Sequence, residues 1–201
     1  MKKEHNNNKY NIKFYKGICK ITNFYLDKMF KPNVIGQEKV QDEPILFVGN
    51  HKSGYDILLM AYALKKYGLR FMAKKEFFDG KFGWFFEKCG AFPIDRTKTD
   101  MTAVKTAIKL LKEQEKVIIF PEGTRNNNDE LLSFKKGYST IALLSSVKVI
   151  PFAITGEYKF RKRPTIEFDD PIDLKSLDID KKELDSYIEE RVKKLIKNSR
   201  W

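Results

Sequence analysis

Ile45-Leu46-Phe47-Val48-Gly49-Asn50-His51-Lys52-Ser53-Gly54-Tyr55-Asp56-Ile57-Leu58-Leu59-Met60 is the stretch on which the reading of this chain turns. Ile45 to Val48 is an unbroken apolar run of strand length, and Ile57 to Leu64 is an apolar run of helical character. The polar segment between them therefore sits at a strand-to-helix turn. His51 is the only histidine after His5. A histidine five positions before an aspartate can form a charge-relay pair, with Asp56 orienting the imidazole and His51 acting as general base near neutral pH. The same residues also fit a structural role, in which Ser53 caps the helix and Asp56 sits at its third position, favoured by the helix dipole. The two roles are compatible, because a capped first turn would hold Asp56 rigid beside the loop that carries His51.

Outward from this turn the chain alternates. Leu69 to Lys74 reads as a short strand, and Ala91-Phe92-Pro93-Ile94-Asp95-Arg96 as a strand ending in an acid–base pair. Thr99 or Asp100 caps a helix carrying Ala103, Val104, Ala107, Ile108 and Leu111 at helical spacing. Val117 to Phe120 is a further buried strand, running straight into Pro121-Glu122-Gly123-Thr124-Arg125. Phe134 to Leu144 reads as a helix. Val147 to Ile154 reads as a strand in which Pro151 suggests an edge or a bulge. After the basic turn Arg161-Lys162-Arg163 comes the strand Thr165 to Phe168, and the terminal helix puts Leu184, Ile188, Val192 and Leu195 on one face. This alternation predicts a single-domain α/β fold, a mostly parallel or mixed central sheet flanked by helices. His51, Arg96 and Arg125 each follow a separate strand. In such folds functional groups gather at the carboxyl ends of strands, so three distant stretches are expected to meet in one site.

Two segments raise the question of lipid. From about Asn11 to Phe30, Phe14, Ile18, Ile21 and Tyr25 fall on one helical face, with Lys13, Lys16, Lys20 and Asp27 opposite. That is the make-up of an interfacial helix on an anionic bilayer, and equally of a surface helix packing on its own domain. The domain division that follows is 1–34 for this amphipathic segment, after a polar start, and 35–201 for the main domain. Further on, Phe78, Phe82, Phe85 and Phe86 share a helical face, which reads as core. Trp84, Gly80 and Gly83 fit that less well and suit the wall of an acyl-chain groove.

Composition narrows the partners. Lys+Arg 39 against Asp+Glu 27 gives a formal charge of +12, which favours phosphates on nucleic acid, on an anionic membrane or on small molecules. Two cysteines, Cys19 and Cys89, fit neither a disulfide framework nor a zinc site, no metal site is expected, and a reducing interior is favoured. No apolar stretch reaches the ~18 residues needed to span a bilayer.

Phe120-Pro121-Glu122-Gly123-Thr124-Arg125 is the most specific signal: a sharp turn presenting amides, a hydroxyl and a guanidinium suited to a phosphate, with Gly123 allowing close backbone approach. By itself it is equally a surface turn with Glu122 paired to Arg125. In order along the chain stand Asn50-His51…Asp56, Gly90-Ala91-Phe92-Pro93-Ile94-Asp95-Arg96, this hexapeptide, and Val149-Ile150-Pro151-Phe152. Together they resemble the four blocks of the glycerolipid acyltransferases, the 1-acylglycerol-3-phosphate acyltransferase family, over roughly residues 35 to 160. Pro93 stands where that pattern usually has an apolar residue.

The resemblance implies that His51, oriented by Asp56 (the His-four-residues-Asp motif), deprotonates a glycerol hydroxyl, and that the alkoxide attacks an acyl thioester directly. The chain has no Gly-x-Ser-x-Gly nucleophile elbow. Arg96, Glu122, Gly123, Thr124 and Arg125 would bind the acceptor. The expected reaction takes acyl from acyl-CoA or acyl-carrier protein to 1-acylglycerol 3-phosphate, giving phosphatidate, with no further cofactor. The acceptor could instead be glycerol 3-phosphate, another lysophospholipid or a lyso-aminolipid. The expected partners are an anionic membrane surface, the donor and the lysophospholipid, with the protein peripheral on the cytoplasmic face of the cell membrane. A basic nucleic-acid-binding module is the competing class, but no helix-turn-helix, zinc-finger or RNA-recognition pattern supports it, so no nucleic acid is expected.

Overall fold

The computed structural model describes residues 10–97, 99–128 and 130–199; the polar residues 1–9 lie outside that range. One seven-stranded sheet forms the middle of the molecule. Its strands are β1 (Asn33–Ile35), β2 (Ile45–Gly49), β3 (Leu69–Lys74), β4 (Ala91–Ile94), β5 (Lys116–Ile119), β6 (Lys148–Thr155) and β7 (Thr165–Phe168), in the spatial order β1-β7-β6-β2-β5-β3-β4. Every pairing is parallel except β6 with β7. The helices are α1 (Ile12–Met29), α2 (Asp56–Ala63), α3 (Glu76–Asp79), α4 (Gly83–Lys88), α5 (Met101–Lys112), α6 (Tyr138–Ser145) and α7 (Leu184–Asn198). The fold class is the one the alternation predicted.

β2 is buried along its whole length. A central strand covered on both faces must be apolar at every position, and for this reason Ile45 to Val48 shows no alternation. One buried cluster gathers around Leu46, Val48, Leu110 and Ile188, the other around Ile45, Phe47, Leu59 and Phe152. Adjacent residues of β2 thus point to opposite cores, as the pleat requires. Asp100 caps α5 by accepting from the N–H groups of Thr102 and Ala103 at 3.0 and 3.1 Å.

Both prolines of the strand blocks are accommodated. Pro93 lies in β4, an edge strand with β3 on one side only. Pro151 is in an interior strand, so the edge alternative fails; it pairs with Val48 of β2, and on its other side it lies just beyond the last β6–β7 pair. Between the pairings Val149↔Ile172 and Phe152↔Phe168, one extra residue stands on the opposing segment, and the ladder is interrupted beside the missing N–H.

α1 packs on α2 and buries Tyr15, Cys19 and Leu26, and Phe30 at its end is also buried. This is not the face that periodicity selected. Phe14 and Ile18 are only half-buried, while Ile21 and Tyr25 stand in solvent together with Phe24. Both faces are apolar; one is buried on the domain, while the other meets it only at its ends, through Phe14 with Trp84 and Tyr25 with Tyr55, and leaves Ile21 and Phe24 uncovered. The aromatic segment also departs from expectation. Extended backbone at Gly80 divides it into α3 and α4, so Phe78 is buried but Phe82 and Trp84 are 71% and 48% exposed. Among the described residues, no helix is long and apolar enough to cross a membrane.

Candidate active site

The site forms where β2 and β5 end side by side. Parallel pairing of Leu46 with Val117 and Val48 with Ile119 brings the loops after both strands into contact. The His51 N–H donates to Glu122 Oε1 at 2.7 Å, and the His51 carbonyl accepts from the Asn126 N–H at 2.7 Å. The imidazole stacks on the Phe120 ring, with centroids 4.2 Å apart. On the other side of β2, the Asn50 amide exchanges two hydrogen bonds with the Ile154 backbone in β6, at 2.8 and 2.7 Å. A Cβ on Gly49 would run into Phe152 of β6, so only glycine lets the loop leave β2 at that point.

His51 Nδ1 lies 2.7 Å from Asp56 Oδ2. The same oxygen accepts from the N–H groups of Lys52 and Ser53 at 2.7 and 2.8 Å, and Oδ1 accepts from the Tyr158 hydroxyl at 2.7 Å. Asp56 is fully buried and His51 is 6% exposed. A carboxylate can only accept, so Nδ1 carries the proton and Nε2 is left with the lone pair that can take one. The capping expectation changes here. Asp56 is the first residue of α2, Tyr55 occupies the cap position, and Asp56 itself receives the N–H groups before the helix. Ser53 Oγ accepts instead from the Tyr55 N–H at 3.3 Å.

The turn after β5 supplies the rest. Gly123 has φ +70°, the left-handed region in which a side chain is strained, and the Lys135 side chain packs where its Cβ would be. The exposed Arg125 reaches back over the first loop: a Cβ on Gly54 would lie 3.5 Å from its guanidinium. Arg96, after β4, feels the charge of Arg125. Burial, and next the charge of Arg125, draw the Arg96 guanidinium below its ordinary value, with Glu76 opposing. Glu122 is turned inward, its carboxylate accepting from the N–H groups of His51 and, at 3.3 Å, Leu132. Burial pushes Glu122 up and those donors pull it back, leaving it above the usual carboxylate range. Thr124 is exposed at the tip of the turn. Among the described residues no three His, Cys, Asp or Glu side chains gather as metal ligands.

The pairing of β2 with β5 thus brings His51, Asp56, Glu122, Gly123 and Arg125 together from two strand ends, and Arg96, after the edge strand β4, feels the charge of Arg125. Sequence reasoning missed Tyr158. It stands 102 residues from Asp56 in a polar loop, with no local pattern to mark it.

An imidazole fixed by a buried carboxylate, under the guanidinium of Arg125 and at the carboxyl ends of parallel strands, is an arrangement in an α/β fold that can draw a proton from a bound hydroxyl. A family model described as Acyltransferase matches residues 31–155, more than half of the chain. A Streptococcus pneumoniae protein named 1-acyl-sn-glycerol-3-phosphate acyltransferase is 38% identical over 144 residues, covering 68% of this chain and 53% of that protein. A Bacillus subtilis protein of the same name is 38% identical over 116 residues, covering 57% of each. The crystal structure of the 1-acyl-sn-glycerophosphate (LPA) acyltransferase PlsC from Thermotoga maritima superposes with a TM-score of 0.71 at 27% identity, over 94% of this chain and 79% of that one. The chain belongs to the acyltransferase family, and so to a family of enzymes. It spans a little over half the length of the two bacterial relatives.

Proposed function

We propose that this protein transfers an acyl group from a thioester, acyl-CoA or acyl-carrier protein, to the free hydroxyl of 1-acylglycerol 3-phosphate, giving phosphatidate. The observation that carries the reading is the 2.7 Å contact between His51 Nδ1 and buried Asp56, made in the loop that Arg125 overhangs. The acceptor phosphate takes the place between Arg125 and Arg96, which holds the glycerol hydroxyl toward His51 Nε2. As the hydroxyl oxygen attacks the thioester carbonyl, its proton passes to Nε2, and the imidazolium is stabilised by Asp56. Collapse of the tetrahedral intermediate breaks the carbon–sulfur bond, and the departing thiolate takes the proton back from Nε2. Glu122 and Gly123 contribute by shaping the two loops, and Thr124 offers its hydroxyl to the acceptor. No further cofactor enters the cycle. The names of the two bacterial relatives favour lysophosphatidate over other acceptors.

The acceptor lies in a bilayer, and α1 has the surface for reaching it. Ile21, Phe24 and Tyr25 are exposed, Lys28 lies over the Phe24 ring at 5.7 Å with Lys16 and Lys20 also exposed on the helix, and Phe14 meets exposed Trp84 of α4 at 6.1 Å between centroids. Each lysine near an anionic surface adds ~1 kcal/mol, fading within a Debye length. We therefore place the protein peripherally on an anionic membrane, at its cytoplasmic face. Incubating purified protein with labelled lysophosphatidate and either donor, followed by thin-layer separation, tests the reaction. Labelled phosphatidate is the expected product. Its absence with both donors, while another acceptor on the same plate is acylated, would overturn the acceptor assignment.

A further inference from the structure

Asp56 Oδ1 faces away from His51 and would be an unmet acceptor in the core were it not for one side chain. Tyr158, in the loop between β6 and β7, donates its hydroxyl to that oxygen at 2.7 Å. Its ring is wedged between Phe30 and Tyr55, with centroids 5.6 and 5.4 Å away, and those two rings meet each other at 5.3 Å. Phe30 is the residue that ends α1, and the same loop is tied there twice: the N–H groups of Arg161 and Arg163 donate to the carbonyls of Met29 and Phe30 at 2.7 and 3.1 Å. Tyr55, the residue before Asp56, also stacks on Tyr25 of α1. The hydroxyl is therefore aimed by ring packing against Phe30 and Tyr55 and by the two ties of its loop to the end of α1.

We infer that Tyr158 is a positioning residue for the reaction: its hydroxyl locks the Asp56 carboxylate in the rotation that points Oδ2 at His51 Nδ1, and the end of α1 holds the tyrosine in place. This rests on the reading of His51 and Asp56 as the reacting pair. A carboxylate with donors on one oxygen alone can pivot about its Cβ–Cγ bond, and a pivot of tens of degrees would loosen the short contact to the imidazole. With both oxygens held, it cannot. Burial first, and the Asp56 charge next, push the Tyr158 phenol well above its ordinary range, so the proton stays on the tyrosine and the hydroxyl donates it to the carboxylate. The coupling also gives α1 a second role. The helix that carries the exposed apolar stripe ends on the residue that backs Tyr158, so the membrane-facing element and the imidazole are joined through three rings.

Tyr158→Phe removes one oxygen atom and keeps the ring contacts. We expect kcat to fall about tenfold, the scale of a hydrogen bond to a charged group, with the KM values for both substrates unchanged. The second readout does not depend on turnover. His51 is one of only two histidines, so the downfield proton resonance of its Nδ1–H can be assigned with a His51→Ala control. It should move upfield and broaden in Tyr158→Phe as the contact to Asp56 loosens. Unchanged kcat with an unchanged resonance would overturn the proposal, as would an effect confined to KM. The same control separates this failure from a deeper one. If His51→Ala itself retains turnover, the dyad reading is wrong; if His51→Ala is inactive while Tyr158→Phe is fully active, only the role of Tyr158 falls.

Discussion

Asp56→Asn separates the two things Asp56 does, which are to hold the loop and to carry charge. Its Oδ2 faces three N–H donors, from the His51 ring, Lys52 and Ser53, and its Oδ1 faces the Tyr158 hydroxyl. Asparagine offers one oxygen and one NH2 in the same places. The oxygen must take the position facing three donors, and the NH2 then meets Tyr158, whose hydroxyl can turn and accept. Loop, helix start and histidine tautomer survive, and only the charge is lost. Taking the imidazolium and carboxylate as roughly 4 Å apart at an effective dielectric near 20, that charge is worth ~4 kcal/mol. At 1.36 kcal/mol per decade this sets an upper bound near three decades. We expect kcat to fall ~10²–10³-fold and the melting temperature to move by only a few degrees. Nitrogen-15 shifts of His51 should still report Nδ1–H. The assay is initial-rate acyl transfer at saturating substrates, paired with a thermal melt. A folded variant losing less than tenfold would refute the electrostatic role and leave Asp56 as a loop brace. Transfer of the proton to Nε2 would refute the argument for the amide orientation.

Arg125→Ala and Arg96→Ala should each raise the acceptor KM, a lost charge-assisted contact costing ~1.5–3 kcal/mol, with lysine rescuing only in part; unchanged acceptor kinetics in both variants would remove the phosphate from this place. The pair Ile21→Gln and Phe24→Gln should leave stability within ~0.5 kcal/mol, since both side chains are about two-thirds exposed. Partition onto anionic vesicles should fall roughly thirtyfold if partial insertion of the two is worth ~2 kcal/mol; unaltered co-sedimentation would place docking elsewhere. These point changes suit the question better than deleting α1, because Leu26 and Phe30 are core residues whose burial is worth ~1.5–3 kcal/mol apiece. Burial raises Asp169, but the Arg191 fork at 2.6 Å, helped by the Asp170 N–H and Lys39, outweighs it and holds the carboxyl below its usual range. Such a group stabilises the fold above its unfolded pKa, and the contribution disappears as pH falls through the depressed value. Arg191→Met should therefore cost ~1–3 kcal/mol at neutral pH and progressively less in acid, and an equal gap in melting temperature at both ends would refute the linkage.

The sequence by itself determined the alternating fold and the loops that form the candidate site. Strand and helix periods, the Gly123 turn and the His51–Asp56 spacing are local, written into neighbouring residues and their backbone preferences. For that reason Leu69–Lys74 and Thr165–Phe168 emerge with the bounds read from the chain. Tertiary structure decided which of several locally permitted partners each group meets. α1 has two adjoining apolar stripes, and periodicity counts apolar residues without knowing which stripe another element will cover. The aromatic run from Phe77 to Phe86 keeps a helical pattern in letters, but the turn at Gly80 divides it and leaves Phe82 and Trp84 outside. Glu122 looks from sequence like a partner for Arg125 or a substrate ligand. The pairing of β2 with β5 puts its carboxylate on the His51 N–H. Tyr158 carries no signal of any kind until β6 lies beside β2 and the end of α1 closes over its ring. A contact between residues a hundred positions apart is set by strand order and packing, which only the folded chain has.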